Sequence, residues 1–226
     1  MKKLTVVCPE ATGTIAPEIY GHFSEHIGGV YYDGLWVGED SPVENVRGFR
    51  KALVDSFKKL NPPVLRWPGG CFVSSYHWKD AVGPQRNPMF DKAWRVEDPN
   101  TFGTDEYIKW CRKVGCEPYI CTNAGTGTPE EMSDWVEYCN LDHEGQYARQ
   151  RIAGGHPEPY GVKCWSLGNE FGYGHMEGTN GPEEYAAAVR LHGEKMLEVS
   201  PDLRLCSSGP YPNAEWAMHS AKALKK

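Results

Sequence analysis

GVKCWSLGNE, residues 161–170, is the stretch of sequence that decides the fold. Its apolar run ends at Gly168, where the backbone can turn, and the polar residues Asn169 and Glu170 follow directly. Segments of the same form lie at 18–26, 62–70, 117–125 and 203–210. We interpret each of them as a β-strand that presents polar side chains at its carboxyl end.

Segments with helical periodicity separate these predicted strands. We predict helices over Arg47–Leu60, Thr104–Val114, from 128 onward, over 181–200 and over 213–226. The third has a clear start signal, because Thr128 can cap the helix, Pro129 suits its first position and Glu131 completes a capping box. Strands that alternate with helices predict a parallel sheet.

Five strand–helix units fit either a five-stranded doubly wound sheet or the first five units of a (β/α)8 barrel. A doubly wound sheet usually has a glycine-rich phosphate loop after its first strand, whereas the first turn here reads HFSEHIGG. The predicted strands end in polar or charged residues, namely Glu25, Arg66, Asn123, Asn169–Glu170 and Ser208. Barrel active sites lie at the carboxyl ends of the strands, so we predict an α/β fold that is a partial (β/α)8 barrel.

Composition limits the class of partner and the compartment. The 226-residue chain has a formal net charge of −6, which argues against nucleic acid because phosphate binding needs a basic surface. No apolar run approaches the roughly 20 residues that cross a bilayer, and the N-terminal stretch is too polar for a secretory signal. We therefore expect a cytoplasmic protein with no membrane partner. The eight cysteines include no C-x-x-C pair, and we interpret them as buried, reduced thiols.

One short motif suggests a different function. His22, Glu25 and His26 spell H-x-x-E-H, a zinc-peptidase signature. That chemistry needs a helix, which brings both histidines to one metal, but glycines bracket this stretch and favour a strand that runs into a loop. We therefore expect Glu25 to be a pocket carboxylate and expect no metal or cofactor, with a zinc peptidase kept as the alternative.

The predicted strand ends carry residue types that suit the cleavage of sugars. Glu170 follows an apolar strand and can serve as a general acid, or it can simply be a first-turn carboxylate of the next loop. Arg66 at the end of a buried strand needs a carboxylate partner, and Asn169 can bond a substrate hydroxyl. Carboxylates, amides and eight tryptophans, without a phosphate loop, indicate a neutral polyhydroxyl substrate.

Longer motifs extend this interpretation over the whole chain. From Pro17 to Ala223 the sequence contains, in order, IYGHFSEHIGGVYYDGLWVGEDSP, PVLRWPGGCF, YHWKDAVGP, FGTDEY, EMSDWVEY and WSLGNE. Together these collinear motifs closely resemble glycoside hydrolase family 51, the intracellular α-L-arabinofuranosidases.

The resemblance implies a (β/α)8 barrel with a C-terminal β-sandwich, no cofactor, and a retaining mechanism. The implied reaction releases terminal arabinofuranosyl groups from arabinose-containing oligosaccharides and polysaccharides. Position by position, Glu170 matches the general acid/base and Asn169 matches the residue that bonds the substrate 2-hydroxyl. The other implied substrate-binding residues are Glu25, Arg66, Cys71, Trp94 and Asn123, the last placed by its strand end alone.

The sequence departs from the family pattern after the fifth unit. The nucleophilic glutamate of the family stands at the end of the seventh strand, so we expect it to be absent from this chain and the chain alone to be inactive. We predict an incomplete catalytic barrel over 17–226, and a segment over 1–16 that pairs with an absent β-sandwich. The resemblance also implies a homo-oligomer for the complete protein. A non-catalytic sugar-binding or inert truncation product, and endoglucanase or xylosidase specificity, are the alternatives.

Overall fold

A five-stranded parallel sheet forms the centre of the computed structural model, which describes residues 2–5, 7, 11–172, 181–209 and 213–224. Its strands are β1 (His22–Phe23), β2 (Val64–Trp67), β3 (Glu117–Thr122), β4 (Cys164–Leu167) and β5 (Arg204–Ser207). They lie side by side in chain order, without the reversal of strand order that defines a doubly wound sheet. This order confirms the prediction of the first five units of a (β/α)8 barrel.

One or two helices follow each strand of this sheet. They are α1 (Lys51–Leu60), α2 (Thr104–Val114), α3 (Pro129–Asn140), α4 (Gln146–Ala153), α5 (Pro182–Val199) and α6 (Ala214–Leu224). Short 3₁₀ helices lie at Pro17–Tyr20, Cys71–Ser75 and Trp78–Ala81. Two antiparallel hairpins pair Asn45–Val46 with Phe49–Arg50, and Met89–Asp91 with Val96–Asp98. Helix α4 and both hairpins were not predicted from the sequence. We call the second one hairpin 89–98.

The face of the sheet that packs against the helices is apolar. On the face that packs against the helices, Trp67, Ile120 and Trp165 lie in register on adjacent strands and are fully buried. Trp135 of α3 packs against both of these tryptophans, with ring centroids 6.1 and 5.8 Å away. Burying a large apolar side chain contributes about 1.5–3 kcal/mol, so this layer is a principal source of stability.

Most of the tryptophans lie in the hydrophobic core. Trp67, Trp78, Trp110, Trp135 and Trp165 are all fully buried. Trp94 is the most exposed, with 42% of its surface accessible. Core packing therefore accounts for most of the high tryptophan content.

The first predicted helix begins four residues later than the periodicity of its apolar residues suggested. Arg47 and Gly48 have φ values of 54° and 83° and close a hairpin turn instead. A Cβ atom on Gly48 would lie 2.5 Å from the Trp36 ring, so the packing of that tryptophan requires glycine. Phe49 consequently lies on a strand, and the helix starts at Lys51.

The outer strands are shorter than predicted. The segment predicted over 18–26 contains the end of a 3₁₀ helix and only two strand residues, although the Ser24 N–H still donates to the Arg66 carbonyl at 3.0 Å. The strand predicted over 203–210 covers Arg204–Ser207, and Pro210 lies outside the described residues. The described part of 1–16 has no helix or strand, and its pairing with a β-sandwich stays a prediction.

Helix α3 begins where the sequence predicted. The Glu131 N–H donates to Thr128 Oγ1 at 3.1 Å, and Pro129 is the first helical residue. The reciprocal half of the capping box is wrong, because the Glu131 carboxylate lies 2.9 Å from His77 Nδ1. The N-terminus of α3 therefore also anchors the loop that follows β2.

The cysteines in the described residues are free, but they are not uniformly buried. Cys111, Cys116, Cys121 and Cys139 are buried, as predicted, whereas Cys71 and Cys164 are half-buried and Cys206 is exposed. Within the described residues, no helix is both long and apolar enough to cross a membrane.

Candidate active site

The concave face of the sheet forms an open cleft of about 620 Å³. Its floor is a row of side chains in register across the five strands, namely Phe23, Arg66, Tyr119, Cys164 and Arg204. Glu25, Asn169 and Glu170 line the same cleft beyond the carboxyl ends of β1 and β4. These three residues, which the sequence places at strand ends, therefore lie in one cleft, and its volume is within the roughly 300–1,000 Å³ that small-molecule sites typically occupy.

Arg66 connects three strand ends in this cleft. Its Nη2 donates to Glu25 Oε1 at 3.2 Å, and its Nη1 donates to Asn169 Oδ1 at 2.9 Å. The guanidinium also lies over the Phe23 ring, 5.3 Å from its centroid. The predicted need of Arg66 for a carboxylate partner is confirmed, and Glu25 is that partner.

The turn that follows Arg66 requires both of its glycines. Gly69 and Gly70 have φ values of 61° and 67°, a region that favours glycine. A Cβ on Gly69 would lie 2.8 Å from Arg66 Nη2, and a Cβ on Gly70 would lie 2.7 Å from Glu25 Oε2. The WPGG segment therefore lets the guanidinium and the carboxylate lie directly against the backbone.

Asn169 supplies an unused hydrogen-bond donor. Its side chain is buried, with 3% of the residue exposed, and its Oδ1 is taken by Arg66. This contact fixes which end of the amide is oxygen, and Nδ2 has no hydrogen-bond partner among the described residues. An unpaired buried donor costs about 1–3 kcal/mol, and in native structures such a group calls for an explanation. A ligand acceptor in the cleft would satisfy it.

Glu170 leaves the strand through a tight turn. Gly168 has φ 84°, and a Cβ there would lie 2.0 Å from the Phe171 ring. Glu170 itself has φ 48°, a left-handed conformation that costs a non-glycine residue about 1–2 kcal/mol. The turn presents Glu170 to the cleft as an exposed side chain. Leu167 and Phe171 on either side of this turn are buried, so the apolar strand does not enclose the Glu170 carboxylate.

Cys71 lies beside the two carboxylates. It begins the 3₁₀ helix that follows Gly70 and is half-buried. Burial, supported by the negative charges of Glu170 and Glu25, raises the pKa of the Cys71 thiol above its usual range. Cys71 is therefore a neutral thiol near neutral pH and is a weak donor rather than a nucleophilic thiolate.

Asn123 is tied into its own loop. Its Nδ2 donates to the Tyr76 carbonyl and to Thr126 Oγ1, both at 3.0 Å. Its Oδ1 accepts from the backbone N–H groups of Gly125 and Thr126. Asn123 is fully buried, and these contacts make it a support for the turn after β3.

Trp94 lies in a neighbouring pocket. It belongs to hairpin 89–98 and lines a separate cavity of about 640 Å³, together with His26, Asp91 and Asp98. Its contact with a sugar stays a prediction.

The H-x-x-E-H motif has a structural function. His26 Nε2 accepts a hydrogen bond from Trp67 Nε1 at 2.8 Å, and its Nδ1 lies 3.1 Å from Asp98 Oδ2. Both ring nitrogens are thus engaged by protein. Among the described residues, no group of three or more His, Cys, Asp and Glu side chains is placed to hold a metal ion. The motif itself does not form a zinc-peptidase site, because it runs through β1 into a loop and not along a helix.

Sequence reasoning missed the contribution of Phe23 and Arg204 to the cleft. Phe23 precedes Glu25 by two residues, a spacing that places side chains on one face of an extended strand, so its position was available from the motif. Arg204 pairs with Glu18 at 2.6 Å across the cleft, a contact between residues 186 positions apart that no local pattern predicts.

A family model, Alpha-L-arabinofuranosidase 1 domain, matches residues 56–223, which is more than half of the chain. The chain belongs to this α-L-arabinofuranosidase family. A curated family member, the intracellular exo-alpha-L-arabinofuranosidase of Bacteroides ovatus, is 43% identical over 194 residues, covering 84% of this chain and 37% of that protein.

Solved structures of arabinofuranosidases share the fold of this family member. The arabinose complex of the Thermotoga maritima α-L-arabinofuranosidase has a TM-score of 0.86 at 43% identity, over 91% of this chain and 42% of that one. The GH51 enzyme of Thermotoga petrophila has the same TM-score at 44% identity, over 91% and 43%. The predicted membership of glycoside hydrolase family 51 is confirmed. The chain spans about two fifths of the length of these relatives.

Proposed function

We propose that this chain supplies the sugar-binding and acid/base part of an α-L-arabinofuranosidase active site. The observation that carries the proposal is the buried, unpaired Nδ2 of Asn169, a residue that lines the cleft next to Glu170. A sugar hydroxyl oxygen is an acceptor that suits this donor. The ligand in the Thermotoga maritima relative is arabinose, which supports the same class of substrate here.

In the proposed reaction, protonated Glu170 gives its proton to the glycosidic oxygen while a second carboxylate attacks the anomeric carbon. The bond to the leaving group breaks, and a covalent glycosyl ester forms. Glu170, now ionised, then takes a proton from water, and the resulting attack on the ester releases arabinose. A retaining enzyme holds its two carboxyl groups about 5–5.5 Å apart.

The remaining cleft residues have supporting functions in this proposal. Arg66 holds Asn169 so that Nδ2 can bond the substrate 2-hydroxyl, and it engages Glu25, whose carboxylate accepts from other hydroxyls. Arg66 holds Glu25 in an ion pair, and we assign Glu25 to substrate binding and not to the attack on the sugar. Trp94 and Cys71 are assigned to the surroundings of the sugar.

Compartment and assembly are part of the same proposal. The Bacteroides ovatus relative is described as intracellular, which supports a cytoplasmic location. Arabinofuranosyl oligosaccharides are the proposed partners, and homo-oligomerisation of the complete protein stays a prediction.

Asn169→Asp should weaken arabinose binding by about tenfold or more, because it removes the Nδ2 donor while keeping an oxygen for Arg66. Isothermal titration of the chain with L-arabinose measures the effect. Asn213→Asp is the matched control, since Asn213 Oδ1 caps α6 by accepting from the Trp216 N–H, and an aspartate keeps this cap while adding the same charge.

Equal binding by the wild type and Asn169→Asp would contradict the assignment of Nδ2 to the ligand. Absence of arabinose binding in the wild type would contradict the sugar site itself.

The chain alone should hydrolyse 4-nitrophenyl α-L-arabinofuranoside at a rate indistinguishable from buffer, because a retaining mechanism needs a second carboxylate that attacks the sugar. Release of 4-nitrophenolate by the purified chain measures this. Sustained turnover by the purified chain would contradict the prediction.

A further inference from the structure

His26 is enclosed by aromatic rings directly after Glu25. Only 7% of the residue is exposed. Tyr31 and Phe72 stack on opposite sides of the imidazole, each with a centroid distance of 4.3 Å and interplanar angles of 23° and 12°. Trp67 and Tyr32 approach its edges. The ring therefore cannot leave its position without separating several core side chains.

The hydrogen bonds of His26 fix its tautomer. An indole N–H can only donate, so the 2.8 Å contact from Trp67 Nε1 requires an unprotonated Nε2. The proton then lies on Nδ1, which donates to Asp98 Oδ2 at 3.1 Å. Burial, partly offset by Asp98, lowers the pKa of His26 and keeps the ring neutral, so it acts as a fixed link with one donor and one acceptor.

Both oxygens of the Asp98 carboxylate accept hydrogen bonds. Its Oδ1 accepts from the Tyr32 hydroxyl at 2.6 Å and from the Asn100 N–H at 2.7 Å. Asp98 is also the last residue of hairpin 89–98, and with His26 and Trp94 it lines the cavity beside the cleft. The contact between His26 and Asp98 therefore joins hairpin 89–98 to the end of β1.

His26 and several of its partners lie next to residues of the proposed site. His26 follows Glu25, Trp67 follows Arg66, and Phe72 follows Cys71. Asp98 ends the hairpin that carries Trp94. His26 thus contacts the neighbours of Glu25, Arg66 and Cys71 and the hairpin that carries Trp94, and it does not itself line the cleft.

We propose that His26 is a positioning residue that holds hairpin 89–98, with Trp94, at a fixed place relative to Glu25 and Arg66. It acts through its two hydrogen bonds and not through contact with the sugar. The sugar-binding part of this inference rests on the proposed function, whereas the attachment of the hairpin does not.

Hydrogen exchange of the 226-residue chain tests the attachment directly. His26→Phe keeps an aromatic ring and removes both hydrogen bonds, so amides of hairpin 89–98 should exchange at least about tenfold faster. His26→Asn keeps a donor near the position of Nδ1 and should restore most of the protection. Amides of β4 and β5, on the far side of the sheet, should be unchanged.

A matched control separates positioning from general destabilisation. His192 on α5 is another buried histidine, with 5% exposure, and its Nδ1 lies 2.7 Å from the Ala188 carbonyl oxygen. His192→Phe should not expose hairpin 89–98 selectively. Equal acceleration in the hairpin and in β5 for His26→Phe, or no rescue by His26→Asn, would overturn the inference.

Arabinose titration of the same variants tests the consequence for binding. His26→Phe should raise the dissociation constant at least about tenfold, and His26→Asn should raise it much less. Normal affinity in His26→Phe with an exposed hairpin would overturn the positioning of the sugar site. If the wild type binds no arabinose, the proposed function fails, while the exchange data still decide whether His26 holds the hairpin.

Discussion

Glu170→Gln should lower kcat/KM by about 10²–10⁴-fold on substrates with poor leaving groups, because a positioned general acid contributes a factor of that size. The measurement uses a chimera in which this chain replaces the matching region of the Thermotoga maritima relative, 43% identical to it. Alkyl and sugar aglycones need protonation as they leave, whereas 2,4-dinitrophenolate does not. The loss of kcat/KM in Glu170→Gln should therefore grow with the pKa of the leaving group.

Two controls decide whether the loss comes from proton transfer. Glu130→Gln removes an exposed carboxylate in the first turn of α3, away from the cleft, and should leave kcat/KM unchanged. Azide should restore turnover of the dinitrophenyl substrate by the Glu170 variant, since the second step no longer has its base. Equal losses on all aglycones would contradict the acid/base assignment.

The strand ends show how far a single sequence predicts such a site. Glu25, Arg66 and Asn169 each follow an apolar run, and the carboxyl ends of parallel strands meet at one edge of the sheet. Their convergence follows from topology alone. The pairing of Arg66 with a carboxylate follows from the cost of a buried cation, although the sequence does not say which carboxylate is chosen.

Asn123 and Asn169 show where this reasoning fails. Both follow a buried strand, and both are buried in the structure. The Asn123 side chain makes its hydrogen bonds within its own loop. The Asn169 side chain accepts from Arg66 through its oxygen, and its Nδ2 has no partner. The difference depends on which groups surround each amide in three dimensions. Residue type and spacing along the chain do not predict these hydrogen-bond partners.

The hairpins were missed for a related reason. A helical period of apolar residues continues through Phe49, but Arg47 and Gly48 take left-handed conformations that no helix allows. The close packing of Gly48 against Trp36 explains why a turn forms here. These two residues are too far apart in sequence for a local pattern to reveal the contact. Tertiary packing therefore overrides periodicity at the start of α1.

Arg66→Ala should destabilise the chain by about 2–4 kcal/mol and abolish arabinose binding. The side chains of Arg66 and Glu25 are 16% and 26% exposed, so the pair lies between exposed pairs, at about 0–1 kcal/mol, and buried ones, at about 3–5 kcal/mol when one partner is removed. The loss also leaves the Asn169 oxygen without its donor, which adds about 1–3 kcal/mol. Urea unfolding measures the free energy, and titration measures binding.

A double-mutant cycle with Glu25→Gln separates the two contributions to this loss. The part that disappears when Glu25 is already neutral belongs to the ion pair, and the part that remains belongs to the bond with Asn169 and to packing. Arg66→Lys keeps the charge but cannot present two separate N–H groups in a fixed fork, so it should retain more stability than Arg66→Ala and still lose arabinose affinity. Full affinity in Arg66→Lys would show that charge alone suffices, and would contradict the requirement that Arg66 orient the Asn169 amide.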